Sequence, residues 1–267
     1  MSEQSIAQLL INAVQTSFRA GSEIMKIYDS AFEVELKGDL SPLTEADKAS
    51  HELIIKELSA FGYPILSEEG KSIPFEERTA WTKYWCVDPL DGTKEFIKRN
   101  GEFTVNIALM DKDTPIMGVI YQPVKEVAFA AIVGGNVYRI DSAGLGKLSA
   151  DTLDSYRLTD TEISSQGEIK VVASRSHRSV ETEDFIADLK KQGSKVLLVN
   201  SGSALKFCLL AEGKADIYPR FAPTMEWDTA AGHAILKACG RNIILYPGTA
   251  EMKYNKPSLV NDWFIAR

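Results

Sequence analysis

The chain has 267 residues, of which 45% are hydrophobic, so it is long and apolar enough to fold around a sizeable core. Its formal net charge of −7 argues against a bulk nucleic-acid binder, because phosphate backbones are held mainly by Lys and Arg. No run approaches the roughly 18 uninterrupted apolar residues of a membrane span, and the start MSEQSIAQLL lacks the basic-then-apolar order of a secretory signal.

Two amphipathic helices are predicted at the start of the chain. Apolar residues between Ile6 and Tyr28 recur at the spacing of one helix face. A second helix follows, with Thr44 as its N-cap and Gly62 as its end. The predicted buried stripe of this second helix consists of Ala46, Ala49, Leu53, Ile54, Leu58 and Phe61.

Short strand-like runs follow the helices. They lie at 63–66, 84–87, 103–110, 116–121, 127–133 and 137–140, and residues 134–136 between the last two predict a hairpin turn. Later runs at 169–173, 195–199, 215–218 and 242–246 alternate with helices predicted at 180–191, 203–211 and 228–238. This order predicts a layered α/β architecture in one catalytic domain, 1–267, with subdomains at roughly 1–142 and 143–267.

Acidic residues stand where predicted elements meet loops, and a scaffold can aim side chains into a shared cleft from such positions. Each position also has a structural explanation when it is taken alone. An acid in a first helical turn favours the helix dipole, and Asp-Pro and Asp-Gly are common turn dipeptides. The acids are Asp47 in the first turn of the second helix, Glu68 and Glu69 after YPIL, Asp88 and Asp91 after YWCV, and Asp228 at the start of the helix 228–238.

The composition of these positions favours a hard cation. The chain has only three histidines, and its cysteines form no Cys-x-x-Cys pair. Oxygen ligands select Mg²⁺ over zinc. Two such ions about 4 Å apart can bind both the attacking water and the leaving oxygen of a phosphoryl transfer. The acids therefore predict magnesium-assisted phosphoryl transfer.

Three segments resemble the inositol monophosphatase superfamily of lithium-sensitive, magnesium-dependent phosphatases: SEEG at 67–70, WCVDPLDGTKEF at 85–96 and EWDTAAGHAIL at 226–236. The resemblance spans nearly the whole chain and implies the αβαβα sandwich of that superfamily. It also implies two or three Mg²⁺ ions. The first would be held by Glu68, Asp88 and the Leu90 carbonyl, and the second by Asp88, Asp91 and Asp228. By the same resemblance Glu68 and Thr93 activate the attacking water, and Asp47 assists through a further metal or its waters.

Within the superfamily, DGTKEFI and GEFTVNIAL resemble the 3′(2′),5′-bisphosphate nucleotidases, and Lys94 and Glu95 favour that branch. The segments SRSH at 174–177, SGSALKF at 201–207 and DIYPRFAPT at 216–224 look like its nucleotide-holding parts. A substrate with two phosphates needs cationic partners away from the metals. The implied substrate contacts are Glu68, Leu90, Asp91, Gly92, Thr93, His177, Ser203, Lys206, Arg220 and Asp228.

The resemblance implies hydrolysis of 3′-phosphoadenosine 5′-phosphate to AMP and phosphate, as in sulfur assimilation and nucleotide recycling. Two alternatives stay open: a sugar-phosphate or inositol-phosphate phosphatase of the same superfamily, and a non-catalytic phosphometabolite sensor. The expected partner is the small nucleotide substrate, without nucleic acid or integral membrane contact, and the chain is expected to be a monomer or homodimer.

The cysteines bear on the compartment. Cys86, Cys208 and Cys239 lie in apolar segments and predict buried free thiols in a reducing environment, which indicates a cytoplasmic protein. The resemblance leaves open a peripheral position on the cytoplasmic face of the inner membrane. Glu76, Glu77 and Arg78 read as a solvated charge run, in a segment from Lys71 to Thr82 that could act as a flap beside Glu68.

Overall fold

The computed structural model describes residues 5–30, 34–36, 42–159, 167–173 and 179–267. The helices in this part of the chain are α1 (Ile6–Tyr28), α2 (Glu45–Leu58), α3 (Phe75–Arg78), α4 (Thr93–Ile97), α5 (Ser142–Leu145), α6 (Val180–Lys191), α7 (Leu205–Ala211) and α8 (Glu226–Ala238). The strands are β1 (Val34–Leu36), β2 (Pro42–Thr44), β3 (Ile65–Ser67), β4 (Lys83–Asp91), β5 (Thr104–Asp111), β6 (Thr114–Gln122), β7 (Val127–Ile132), β8 (Val137–Asp141), β9 (Glu168–Ala173), β10 (Lys195–Asn200), β11 (Tyr218–Arg220), β12 (Ile243–Leu245) and β13 (Phe264–Ala266).

Six strands form the largest sheet, in the order β3-β4-β5-β6-β7-β8. The pair β3 and β4 is parallel, and the other neighbours are antiparallel. All six strand-like runs predicted between 63 and 140 lie in this sheet, and the predicted hairpin joins β7 to β8. The strand predicted at 84–87 is longer than expected: β4 continues to Asp91. Asp88 and Asp91 therefore lie within a strand and not after it.

The elements stack in alternating layers, which confirms the predicted α/β sandwich. Helices α1 and α2 cover one face of the large sheet, and α7 and α8 cover the other. Beyond α7 lie the parallel pair β10-β9 and the sheet β11-β13-β12, and α6 contacts both. Strand β13 had no counterpart among the predicted elements, and the strand predicted at 215–218 is displaced to Tyr218–Arg220. The subdomain division stays a prediction.

The two predicted N-terminal helices are present, with one informative difference. In α2, Ala46, Ile54 and Leu58 are buried as predicted, but Ala49 is half-exposed, while Asp47 and Ser50 are buried. Buried polar side chains need partners. This part of α2 therefore faces a polar site.

The thiols differ from one another. Cys86 and Cys208 are buried, but Cys239 is exposed, because it follows the last turn of α8. The expectation of three buried thiols was thus wrong for Cys239. None of the described helices has the length and apolar character needed to cross a bilayer.

A glycine on β6 lets α8 approach the large sheet. A Cβ added at Gly118 would meet the backbone of Ala231, well inside van der Waals contact with its carbonyl oxygen. Backbone atoms cannot move aside as a flexible side chain can. The seat of α8 on the sheet therefore requires glycine at 118.

We expect Gly118→Ala to lower the free energy of unfolding by about 1–3 kcal/mol, the usual cost of overpacking a core. Gly146→Ala is the matched control, since a Cβ there meets nothing within 4 Å, and we expect a change of roughly 0.5 kcal/mol or less. Urea unfolding followed by circular dichroism measures both. Equal stability of the two variants would contradict the close approach of α8.

Candidate metal centre and substrate cleft

Three of the predicted ligand residues meet in space. One carboxylate oxygen from each of Glu68, Asp88 and Asp228 lies within 4.8 Å of the others. Glu68 follows β3, Asp88 lies on β4, and Asp228 lies in the first turn of α8. Asp88 is buried and the other two are half-buried. The arrangement offers a set of oxygen donors of the kind that hard divalent cations prefer.

Asp91 is aimed by a β-bulge in β4. Asp88 pairs with Asn106 of β5 and Asp91 pairs with Thr104, so β4 has one more residue than β5 in this stretch. In a regular strand, residues three apart point to opposite faces. The extra residue cancels that alternation and turns Asp88 and Asp91 toward the same side.

Hydrogen bonds hold both ends of the bulge. The Leu90 amide donates to Asp88 Oδ1 at 3.0 Å, and Ser50 Oγ of α2 donates to the Pro89 carbonyl at 2.7 Å. At the other end, Asp91 Oδ2 accepts from the Ala204 amide at 2.5 Å.

Asp47 and Asp228 occupy equivalent positions in two helices, since each is the third helical residue. Oδ2 of Asp47 accepts from the Thr44 amide at 2.8 Å and from the Thr44 hydroxyl at 2.6 Å. Oδ2 of Asp228 accepts from the Met225 amide at 2.8 Å. In each case one carboxylate oxygen accepts from the backbone N–H of the N-cap residue, and at Thr44 the N-cap side chain completes a capping box. Asp228 therefore does not open α8 as predicted, because the helix begins two residues earlier, at Glu226.

The second oxygen of Asp47 reaches the loop after β4. Oδ1 of Asp47 accepts from the Thr93 hydroxyl at 3.2 Å. Thr93 begins α4 directly after Gly92, which has a φ of 93°. A Cβ at 92 would also lie 3.2 Å from the carbonyl oxygen of Glu102. Glycine therefore permits both the left-handed turn and the close approach that bring Thr93 to Asp47.

The carboxylates of the site repel one another. Burial raises the pKa of Asp88 well above its ordinary value, and the neighbouring carboxylates raise it further, with Glu68 the largest contributor. Burial raises the pKa of Asp91 to about 6, against the opposing charge of Lys206. Burial, followed by the charge of Asp91, raises the pKa of Asp228 to about 8. A bound divalent cation would relieve this repulsion, so the residues fit a metal centre.

A cleft of about 280 Å³ adjoins the acids and is lined by Asp91, Asp228, Ser203, Lys206 and Arg220, among others. Its walls thus combine predicted metal ligands with predicted substrate contacts. Gly92 also lines the cleft. Three other predicted contacts, Glu68, Leu90 and Thr93, are not among the residues that line this cleft. His177 and the segment SRSH lie outside the described residues.

Three cationic side chains line the cleft, Lys94, Lys206 and Arg220, and the last two differ in their surroundings. Nζ of Lys206 donates to the Ser203 carbonyl at 2.6 Å and lies 5.2 Å from the ring centre of Tyr218. Nη2 of Arg220 donates to the Pro223 carbonyl at 3.0 Å, but its buried Nε has no hydrogen-bond partner within the described ranges. A buried guanidinium nitrogen without a partner is costly. Arg220 therefore makes fewer hydrogen bonds to the described residues than its guanidinium allows.

Several residues that hold the predicted ligands in place were not predicted from the sequence. Asn106, which donates to Asp91 at 3.3 Å, could have been noticed as a buried amide within the apolar run TVNIALMD. The Ala204 amide carries no sequence signal, because any residue supplies a backbone N–H. Arg78 was misread as solvated, yet it is only 2% exposed. Its neighbours in the sequence are acidic, which concealed that its partners lie near the C-terminus.

The raised pKa of Asp228 predicts how stability changes with pH in metal-free protein. A carboxyl whose pKa is higher folded than unfolded binds more protons when folded, so the free energy of unfolding falls as pH rises between the two values. Between pH 7 and 8 we expect a fall of roughly 1 kcal/mol, since one pKa unit corresponds to about 1.4 kcal/mol.

Urea unfolding at pH 7 and pH 8, with chelator and again with Mg²⁺, measures this change. Asp228→Asn should reduce the fall, because an amide can keep the cap on Met225 without titrating, and Mg²⁺ should reduce it because cations bind the ionised acids. Asp151→Asn, at an exposed position, is the control and should leave the fall intact. Stability that is constant or rising from pH 7 to 8 in metal-free wild type would contradict the buried, mutually repelling acids.

The chain is similar to known proteins over most of its length. The sequence model that describes the inositol monophosphatase family matches residues 5–262. A curated 3′(2′),5′-bisphosphate nucleotidase CysQ from Shigella flexneri is 41% identical over 260 residues, which cover 96% of this chain and 98% of the relative.

Solved structures agree with this match. The crystal structure of CysQ from Bacteroides thetaiotaomicron, described as a bacterial member of the inositol monophosphatase family, has a TM-score of 0.87 and 45% identity, covering 98% of this chain and 97% of that one. The extragenic suppressor protein SuhB from Bartonella henselae has a TM-score of 0.72 at 22% identity, covering 97% and 93%. At that identity the second likeness concerns the fold alone.

Proposed function

The chain belongs to the inositol monophosphatase family, and on that premise we propose that it is a 3′(2′),5′-bisphosphate nucleotidase. It hydrolyses the 3′-phosphate of 3′-phosphoadenosine 5′-phosphate and releases AMP and phosphate. The observation that carries this proposal is the cluster of Glu68, Asp88 and Asp228, which lies beside a cleft containing Arg220. Acids that hold cations and a separate arginine suit a substrate with two phosphates.

The proposed metal ligands include the three acids of this cluster. Glu68, Asp88 and the Leu90 carbonyl would hold one Mg²⁺, and Asp88, Asp91 and Asp228 would hold a second, so that Asp88 belongs to both ligand sets. Mg²⁺ at these positions would polarise the ester and make water more acidic. A third ion would be assigned to Asp47.

Thr93 and Glu68 position the attacking water. The Thr93 hydroxyl donates to Asp47 Oδ1, so its oxygen is left to accept a hydrogen bond from the water. The carboxylate of Glu68 takes the proton that the water loses as the P–O bond forms. The bond between phosphorus and the ribose 3′-oxygen breaks, and that oxygen takes up a proton from solvent to become the 3′-hydroxyl of AMP. The backbone amides of Gly92 and Thr93 face the phosphate oxygens.

Substrate contacts away from the metals come from the cleft. Arg220 binds the second phosphate, because it lines the cleft and its guanidinium can donate two hydrogen bonds to one phosphate. Lys206 adds positive charge beside Ser203, whose carbonyl it already contacts. His177 completes the proposed set.

The remaining expectations belong to the same proposal. A cytoplasmic location is supported by the three free thiols. The chain acts as a monomer or homodimer on a small-molecule substrate, and its two predicted subdomains, roughly 1–142 and 143–267, meet at the cleft.

The proposal predicts a substrate preference. Purified enzyme should release phosphate from 3′-phosphoadenosine 5′-phosphate with a higher kcat/KM than from inositol 1-phosphate, and only when Mg²⁺ is present. Asp88→Asn should abolish turnover because it removes the bridging charge, while Asp151→Asn should retain it. A phosphate-release assay on both substrates measures this. A higher kcat/KM on the inositol ester would contradict the proposed substrate. Full activity of Asp88→Asn would contradict the proposed metal centre.

Arg220 predicts discrimination between substrates. We expect Arg220→Ala to lower kcat/KM on the bisphosphate by roughly 10- to 100-fold, the value of a charge-assisted hydrogen bond of about 1.5–3 kcal/mol. Its effect on p-nitrophenyl phosphate, which has no second phosphate, should be small. Arg139→Ala serves as the control, since Arg139 is exposed and lines a different cavity. Equal losses on both substrates would contradict the role of Arg220.

A further inference from the structure

We infer that Arg78 and Glu226 are positioning residues of the metal centre, and this inference rests on the proposed function. Neither residue belongs to the ligand set. Arg78 lies ten residues after Glu68, and Glu226 lies two residues before Asp228. Both hydrogen-bond to the C-terminal segment 255–257: Arg78 donates to its oxygen atoms, and Glu226 accepts from its N–H groups. Together with that segment they form a clamp that holds the first turn of α8, and with it Asp228, against the rest of the centre.

The Arg78 half of the clamp is a buried guanidinium. Its Nη1 donates to Asn255 Oδ1 at 2.8 Å, and its Nη2 donates to the Lys256 carbonyl at 3.0 Å. Its Nε donates to the Ile73 carbonyl at 3.1 Å, which ties the clamp to the segment that follows Glu68. The Asn255 side chain returns a hydrogen bond to the Arg78 carbonyl at 2.9 Å. A planar guanidinium can satisfy these separate acceptors at once, whereas an ammonium cannot match the same geometry.

The Glu226 half is a buried carboxylate in the first turn of α8. Oε2 accepts from the backbone N–H of Asn255 at 2.7 Å. Oε1 accepts from the backbone N–H of Lys256 at 3.0 Å and from Lys256 Nζ at 2.8 Å. The Glu226 amide donates in turn to the Leu259 carbonyl at 2.9 Å. The Glu226 side chain is fully buried, and the hydrogen bonds that its carboxylate accepts within the described ranges come from Asn255 and Lys256. The start of α8 is therefore fastened to residues 255–259.

The first turn of α8 needs such a fastening. Met225, its N-cap residue, has no polar side-chain atom that could cap the helix, so the cap comes from Asp228, the metal ligand itself. The body of the helix is seated on the large sheet where Ala231 meets Gly118. The turn between that seat and the loop carries Asp228. Without the clamp this turn would be held by the Asp228 carboxylate, which also serves the metal, and by Asn261, whose side-chain amide donates to the Met225 carbonyl at 2.7 Å and to the Thr229 hydroxyl at 3.1 Å.

The clamp therefore sets where Asp228 lies relative to Glu68 and Asp88. Residues that hold metal ligands in place without binding the metal themselves affect the affinity for the metal when they are substituted. A structural role alone would lower stability without changing how tightly the folded protein binds Mg²⁺. The two roles can thus be separated by measuring metal binding directly.

The test uses three variants of the full chain: Arg78→Lys, Glu226→Gln and Asn255→Gly. Glycine at 255 removes the acceptor of Arg78 but allows the positive φ of 55° at that position. Isothermal titration calorimetry of folded protein with Mg²⁺ is the main readout, and the Mg²⁺ dependence and kcat of phosphate release are the second. We expect Mg²⁺ binding to weaken by roughly 10- to 100-fold, the range seen when second-layer partners of metal ligands are changed, with kcat recovered largely at saturating Mg²⁺.

Two controls match the changes. Arg19→Lys makes the same exchange in an exposed ion pair with Glu57, away from the clamp. Ile11→Val removes a buried methyl group from α1 on the opposite face of the sheet and lowers stability alone. Both should bind Mg²⁺ as wild type does.

The outcomes separate the two proposals. Wild-type protein that neither binds Mg²⁺ nor releases phosphate would overturn the proposed function. Wild-type protein that does both, with folded variants that bind Mg²⁺ equally tightly, would overturn the clamp and leave the function standing. Loss of folding in all three variants, seen by circular dichroism, would also overturn it, because the segment would then determine the fold and not the position of Asp228.

Discussion

Repulsion among buried carboxylates is the constraint on which this structure depends. Glu68, Asp88 and Asp228 bring oxygen atoms within 4.8 Å of one another, and burial and repulsion raise the pKa of the two aspartates. A folded chain bears such a cluster only if rigid elements hold each acid in place. The large sheet and the start of α8 provide that rigidity. The same repulsion makes the site receptive to divalent cations, so the cost in stability and the capacity for catalysis have one origin.

Ordinary local motifs aim the acids. In both Asp47 and Asp228, one carboxylate oxygen accepts from the backbone N–H of the N-cap residue, and in Asp47 the other oxygen accepts from the Thr93 hydroxyl. The structural explanation of a first-turn acid and the functional one are therefore compatible, because the two oxygens of a carboxylate can do different things. A bulge performs the equivalent task on β4, where it turns Asp91 to the side of Asp88.

The C-terminal segment connects these parts. It contributes none of the proposed ligands, yet through Arg78 and Glu226 it joins the segment after Glu68 to the helix that carries Asp228. In this clamp the Arg78 guanidinium donates four hydrogen bonds and the Glu226 carboxylate accepts three, and well-satisfied buried polar groups make a structure rigid. The position of the acids in the metal centre therefore depends on the fold of the second half of the chain.

The sequence by itself determined the order of the longer helices and of the strands of the large sheet, because apolar periodicity is a local property. It also determined which acids are candidate metal ligands, since Asp88 and Asp91 lie in the contiguous motif DPLDGT and Asp228 lies in EWDTAAG. Tertiary structure decided the rest. The end of β4, the true start of α8 and the burial of Arg78 depend on partners far along the chain: Thr104 and Asn106 across the sheet, and Asn255 beyond the last helix. Such pairings arise from packing in three dimensions, and no spacing within a single segment encodes them.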